Sequence, residues 1–131
     1  MIGLDTNVLV RFIMQDDERQ AQLASSLIES LRAEAPGFVS AVSVVELIWV
    51  LDSCYGLTRN QLAAALEGLL RTQELVVENA ETMWKALRLF RDAKGGFADC
   101  LIACSASSAG CERTMTFDRD AAKHCNMTLV I

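Results

Sequence analysis

Ile2-Gly3-Leu4-Asp5-Thr6-Asn7-Val8-Leu9-Val10 opens with an apolar run, meets one acid and returns to apolar residues. Ile2–Leu4 predicts a short strand, Asp5-Thr6-Asn7 the start of a helix, and Val8–Met14 its apolar continuation. The rest of the chain repeats this strand-to-helix pattern. A second helix is expected over Asp17–Glu34, with Ala21, Ala24, Leu27, Ile28 and Leu31 on one face, stopped by Pro36-Gly37. Phe38–Val42 reads as a buried strand, followed by a helix capped by Ser43 and running to about Cys54. Thr58-Arg59-Asn60-Gln61 is a capping box that opens a helix with Leu62, Leu66, Leu69 and Leu70 inward. Leu75–Glu78 is a strand, and an Asn79-started helix carries Met83, Leu87 and Phe90. Gly95-Gly96 breaks the chain before a helix over Phe97–Ala109. Thr114–Phe117 is a strand, Asp118–Lys123 a short helix and Thr128–Val130 a last strand. This alternation predicts an α/β fold with a parallel sheet covered by helices on both faces, its function gathered at the carboxyl ends of the strands.

The 131 residues suit one domain, 1–131, and the composition is globular: 52% hydrophobic, 22% charged, one proline. No signal peptide is expected at Met1, and the longest weakly charged stretch, Ala35–Leu51, contains Glu46 and falls short of the roughly 20 residues of a membrane span. Five scattered cysteines fit reduced thiols in a cytoplasmic protein better than a disulfide framework. Cys100 and Cys104 lack a second close pair to complete a zinc site and read as small core residues. The single histidine, His124, reads as a surface residue and excludes His-rich metal sites. The net charge of −5 argues against nonspecific coating of nucleic acid, but not against an enzyme with its acids concentrated around cations.

Three carboxylates each stand alone in an apolar neighbourhood: Asp5 between Met1 and Val10, Glu46 between Ala35 and Leu51, Asp99 between Gly95 and Cys111. A fourth, Asp118, follows the strand Thr114–Phe117. A desolvated carboxylate must be protonated, paired or bound to metal, and the first three segments contain no Arg or Lys. Acids gathered at one sheet edge would need divalent cations, and all-oxygen ligation favours Mg²⁺ or Mn²⁺. Read singly, Glu46 is the last residue of a Ser43-Val44-Val45-Glu46 capping box, Asp118 is a helix cap, and Asp5 fits either role. Asp99 resists that reading, because it lies in a helix apolar nearly all round, with Ala103 and Ala106 on its own face.

With Leu4-Asp5-Thr6-Asn7, Ser43-Val44-Val45-Glu46-Leu47, Phe97-Ala98-Asp99-Cys100-Leu101-Ile102-Ala103 and Thr114-Met115-Thr116-Phe117-Asp118-Arg119-Asp120 in this order, the chain resembles the PIN-domain ribonucleases, and among them the VapC-like toxins of type II toxin–antitoxin systems. The resemblance implies a three-layer α/β/α fold around a central parallel sheet of about five short strands. It implies a Mg²⁺- or Mn²⁺-dependent endoribonuclease, with Asp5, Glu46, Asp99 and Asp118 as metal-binding acids. Asn7 and Thr116, and to a lesser degree Thr6, would orient those acids or a bound water, and Asp120 would supplement or replace Asp118. Expected partners are an RNA substrate, a VapB-like antitoxin and a second copy of the chain, with no membrane. Val8–Met14, Asp17–Glu34 and Thr58–Arg71 are candidate groove helices. Trp49 and Trp84 are candidate interface anchors, although tryptophan is more often core. Arg11, Arg88, Arg91, Lys94 and Arg119 are the cations available to substrate, or simply solvated charges. A housekeeping RNA-processing nuclease and a non-catalytic PIN-like module are the alternatives. An aspartate-nucleophile phosphatase fits poorly, because Asn7 stands where its second acid would be.

Overall fold

A computed structural model describes residues 1–131. The chain divides into two units, Met1–Glu78 and Asn79–Ile131.

The first unit is built on a parallel sheet. Strands β1 (Ile2–Gly3), β2 (Gly37–Val39) and β3 (Leu75–Val77) lie in the order β1-β2-β3, with Ile2 opposite Gly37 and Gly37 opposite Leu75. The central position of β2 explains Gly37. A Cβ there would lie 2.9 Å from Leu4 Cδ1, 3.0 Å from Leu31 Cδ1 and 3.2 Å from Leu75 Cδ2, so a methyl group would have to push those leucine tips aside.

Helices α1 (Thr6–Met14), α2 (Glu18–Glu29), α3 (Ala41–Ser53) and α4 (Arg59–Arg71) complete this unit. Helix α1 packs against α2 and α3, and α4 packs against α3 and β3. Leu9, Val39, Val44, Leu47, Leu51 and Leu66 are buried almost without exposure. The capping box of α4 forms as expected, with Thr58 and Gln61 satisfying each other's backbone N–H groups.

Two boundaries differ from expectation by more than one residue. Helix α2 ends at Glu29, not Glu34, because the Arg32 guanidinium donates to the carbonyls of Glu29 and Leu31 while Arg32 and Ala35 form an antiparallel bridge ahead of Pro36. The strand expected over Phe38–Val42 stops at Val39, and Ser40, not Ser43, caps α3: its Oγ accepts from Ser43 N at 3.1 Å. This moves Glu46 out of the first helical turn, so the capping-box role is closed to it.

The second unit contains α5 (Ala80–Asp92), α6 (Phe97–Ser108), β4 (Met115–Thr116), α7 (Arg119–His124) and β5 (Thr128–Leu129). Met83, Ala86, Leu87 and Phe90 of α5 are buried, and Phe90 meets Phe97 of α6 edge-on at 5.8 Å. The five strands are present, but the sheet of the first unit holds three of them. Strands β4 and β5 form a separate parallel pair, with Thr128 N donating to Thr114 O and Val130 N to Thr116 O. Helix α6 is not buried all round: Phe97, Cys100 and Leu101 are buried, while Ile102 is half exposed. Its serine-rich second half, Ser105-Ala106-Ser107-Ser108, has no apolar face to bury. All five cysteines are free thiols. Cys100 and Cys125 are buried with their sulfurs 3.7 Å apart, whereas Cys104 is only partly buried and desolvation raises its pKa.

Candidate metal and RNA-binding site

Because β1 and β2 are parallel neighbours, the residues that follow them emerge at the same sheet edge. Asp5 follows β1 and caps α1; Glu46 lies in the second turn of α3, just beyond β2. Both line one cleft of about 700 Å³, together with Thr6, Asn7, Arg11, Asp16 and Tyr55.

Thr6 links the two acids. Its backbone N–H donates to Asp5 Oδ1 at 2.8 Å, and its hydroxyl donates to Glu46 Oε1 at 2.9 Å. Thr6 is itself buried, so packing fixes the brace. Neither carboxylate has an ion pair, and Asp5 Oδ2 and Glu46 Oε2 accept no protein hydrogen bond. Two hard oxygens, exposed at a cleft wall with no cationic partner, have the donor chemistry that Mg²⁺ or Mn²⁺ takes. Within either unit, no three His, Cys, Asp or Glu side chains converge on one point; the first unit brings two together.

The other candidate residues divide between the units. Asn7 is exposed in the cleft and makes no side-chain hydrogen bond, so the contact to an acid belongs to Thr6, ranked below it from the sequence. In the second unit Asp99 is the third residue of α6, in its first turn, half exposed and without an ion pair. The positive end of the helix dipole favours a carboxylate there, which answers the sequence argument that this residue resists a structural explanation. Asp118 caps α7: its Oδ1 accepts from Asp120 N at 2.8 Å and Ala121 N at 3.2 Å. Thr116 Oγ1 accepts from Asp118 N at 3.0 Å and so orients the cap. Strand β4 ends at Thr116, leaving Phe117, 82% exposed, between the strand and the acid. Asp120 is exposed and its carboxylate has no partner.

Sequence reasoning missed one group. Arg11 Nη1 reaches Asp16 Oδ1 at 3.2 Å and Tyr55 Oη at 3.2 Å, Arg11 Nε reaches Gln20 Oε1 at 2.6 Å, and Tyr55 Oη donates to Asp16 Oδ2 at 2.7 Å. The Tyr55 hydrogen bond, aided by Arg11, holds the Asp16 carboxyl below its ordinary pKa. That same bond to Asp16 pushes the Tyr55 phenol up. Desolvation pulls the Arg11 guanidinium down, but Asp16 and Tyr55 outweigh it and hold the pKa above its ordinary value. Arg11 and Asp16 sit close in sequence, which makes their pairing legible; Tyr55 arrives from another helix end. Arg11 is the one cation lining this cleft.

The fold and site define a parallel α/β protein with paired acids at the strand ends. The sequence model of the PIN domain matches residues 2–126, across both units, and the chain belongs to the PIN domain family. It is also similar to a VapC ribonuclease of Aquifex aeolicus (strain VF5), 26% identical over 116 residues that cover 88% of this chain and 86% of the relative.

Proposed function

We propose that this chain is a metal-dependent endoribonuclease and the toxin of a VapBC-type pair, acting in the cytoplasm to inhibit translation. The observation that carries the reading is the Asp5–Thr6–Glu46 arrangement: two carboxylates without cationic partners, braced by one buried threonine at the ends of adjacent parallel strands. Membership of the PIN family and similarity to a VapC ribonuclease support it.

In this reading Asp5 and Glu46 would hold Mg²⁺ or Mn²⁺, the chain is a single PIN domain, and Asp99 and Asp118 are its other candidate catalytic acids. When bound, the ion supplies a water of lowered pKa and neutralises charge developing on a phosphodiester. Thr6 donates to Glu46 and so fixes which carboxylate oxygen faces the cleft. The Asp118 carboxylate keeps Oδ2 open while Oδ1 serves the helix. Asn7 and Asp120 are exposed groups able to orient water. RNA is the substrate and a VapB-like antitoxin the inhibitor. Trp49, 63% exposed and therefore not a core residue, is the anchor of a homodimer or toxin–antitoxin contact.

The test is cleavage of an RNA panel with Mg²⁺, Mn²⁺ or EDTA by the wild type, Asp5→Asn and Asp99→Asn. The expected result is metal-dependent cleavage by the wild type and losses in both variants beyond the roughly 10–100-fold that removal of an outer partner costs. Equal cleavage by all three proteins ends the proposal. Normal growth on expression without an antitoxin would favour a housekeeping nuclease over a toxin.

A further inference from the structure

Resting on the nuclease reading, we infer that Arg11, anchored by Asp16, Tyr55 and Gln20, is a phosphate-binding residue that holds single-stranded RNA in the cleft of Asp5 and Glu46.

Electrostatics sets the need. The Asp5–Glu46 cleft also contains Asp16, and an approaching polyanion is repelled wherever that acidity is not offset. Cations held by Asp5 and Glu46 offset it locally. Beyond their reach, the one positive side chain lining the cleft is Arg11.

Position comes next. Arg11 lies about 9 Å farther along α1 than Asp5, at about 1.5 Å per residue. Both line the same cleft, so a strand lying over the acids also meets Arg11.

The anchoring then makes Arg11 a binder and not merely a solvated charge. Nε is committed to Gln20 and Nη1 to Asp16 and Tyr55, while Nη2 has no acceptor. The side chain is about one-third exposed. Three fixed acceptors restrict its rotamers before any ligand arrives, so little conformational entropy remains to be lost on binding. The planar fork leaves the Nη2 N–H groups as charge-assisted donors for a phosphate oxygen. Asp16 and Tyr55 are positioning residues: they hold the guanidinium and do not touch RNA.

The experiment measures binding of a 5′-labelled single-stranded RNA by fluorescence anisotropy in fixed Ca²⁺, which takes the same oxygen ligands, over a KCl series, with cleavage in Mg²⁺ followed alongside. Arg11→Gln should weaken binding about tenfold, an effect of a few RT. It should also reduce the slope of log K against log salt by about 0.7, the loss of one phosphate contact to a single strand. Arg11→Lys should keep the slope, because the charge remains, and still bind several-fold more weakly, because the anchored fork is gone. A purely structural tie between α1 and Tyr55 would leave the slope of Arg11→Gln unchanged, and that result overturns the inference. If Arg11→Gln does not fold, Arg11→Lys decides: binding as tight as the wild type overturns it. A wild type that cleaves RNA, with an Arg11→Gln variant of unaltered affinity and slope, sinks the phosphate contact alone. A wild type that neither binds nor cleaves RNA sinks the nuclease reading and this inference together.

Discussion

Thr6 donates its hydroxyl to Glu46 across 2.9 Å, joining positions 40 apart in the chain, while its backbone N–H holds Asp5. One buried residue therefore sets the orientation of both Asp5 and Glu46. Packing of α1 against α3 keeps the contact in place.

Replacing that hydroxyl should separate orientation from folding. Thr6→Val keeps the shape and should cost about 1 kcal/mol in urea denaturation, the net worth of one hydrogen bond. RNA cleavage should fall by roughly 10–100-fold, the range for loss of an outer partner of a metal-binding acid, and Thr6→Ser should recover most of it. Wild-type rates in Thr6→Val would remove the brace from the mechanism.

Metal binding should be visible without turnover. At about 100 times its dissociation constant, Mn²⁺ should add about 2.7 kcal/mol, which for a chain of this size raises Tm by roughly 10 °C. Asp5→Asn and Glu46→Gln should lose most of that rise in a thermal melt. A melting curve of the wild type indifferent to both Mn²⁺ and Mg²⁺ rejects the assignment.

Asp118 has two possible duties that substitution can split. Its Oδ1 caps α7, a role asparagine fills nearly as well, whereas Asp118→Ala should cost about 1 kcal/mol. If the carboxylate also serves the reaction, Asp118→Asn should melt like the wild type yet cleave RNA poorly. Full cleavage by Asp118→Asn makes this residue a cap and nothing more.

Gly37 tests the packing of the sheet. Gly37→Ala puts a methyl group within 2.9–3.2 Å of three leucine side chains, and overpacking of this kind costs about 1–3 kcal/mol. Chemical denaturation should show that loss, although the residue touches no acid of the site.

Asp16 and Tyr55 make the cleft wall sensitive to pH at both extremes. The folded state favours ionised Asp16, below its ordinary pKa of 3.8. Its contribution to stability is therefore present above pH 3.8 and lost as pH falls through the folded value. The fold likewise favours neutral Tyr55, above its ordinary pKa of 10.0, so that contribution is present below pH 10 and lost as pH rises through the folded value. In Tyr55→Phe the largest cause of the Asp16 depression is gone, and a carboxyl titration by NMR should show its pKa move up. An unmoved Asp16 would mean that Arg11 alone holds it.

The sequence was most informative where local chemistry is self-contained. Thr58–Gln61 forms its capping box, and the apolar faces of α4 and α5 bury as their spacing predicts, except that Leu70 is only partly buried. It was least informative where a neighbouring side chain offers a competing bond. Ser43–Glu46 has the pattern of a capping box, but Ser40 takes the cap, and Glu46 is left to face Thr6. The helix expected to reach Glu34 stops at Glu29, where the Arg32 side chain bonds the carbonyl of Glu29 and that of Leu31 just beyond the end.

Taken alone, the order of residues settled the alternation of strands and helices, the parallel α/β class and the acids that stand without a neighbouring base. Those properties follow from periodicity, caps and charge along short stretches. Tertiary structure decided that Thr6 instead of Asn7 grips an acid, that Arg11 is tethered by Tyr55, and that the five strands divide into three and two. Each depends on groups brought together from distant positions, and a hydrogen bond that forms only within about 3 Å leaves no trace in local pattern.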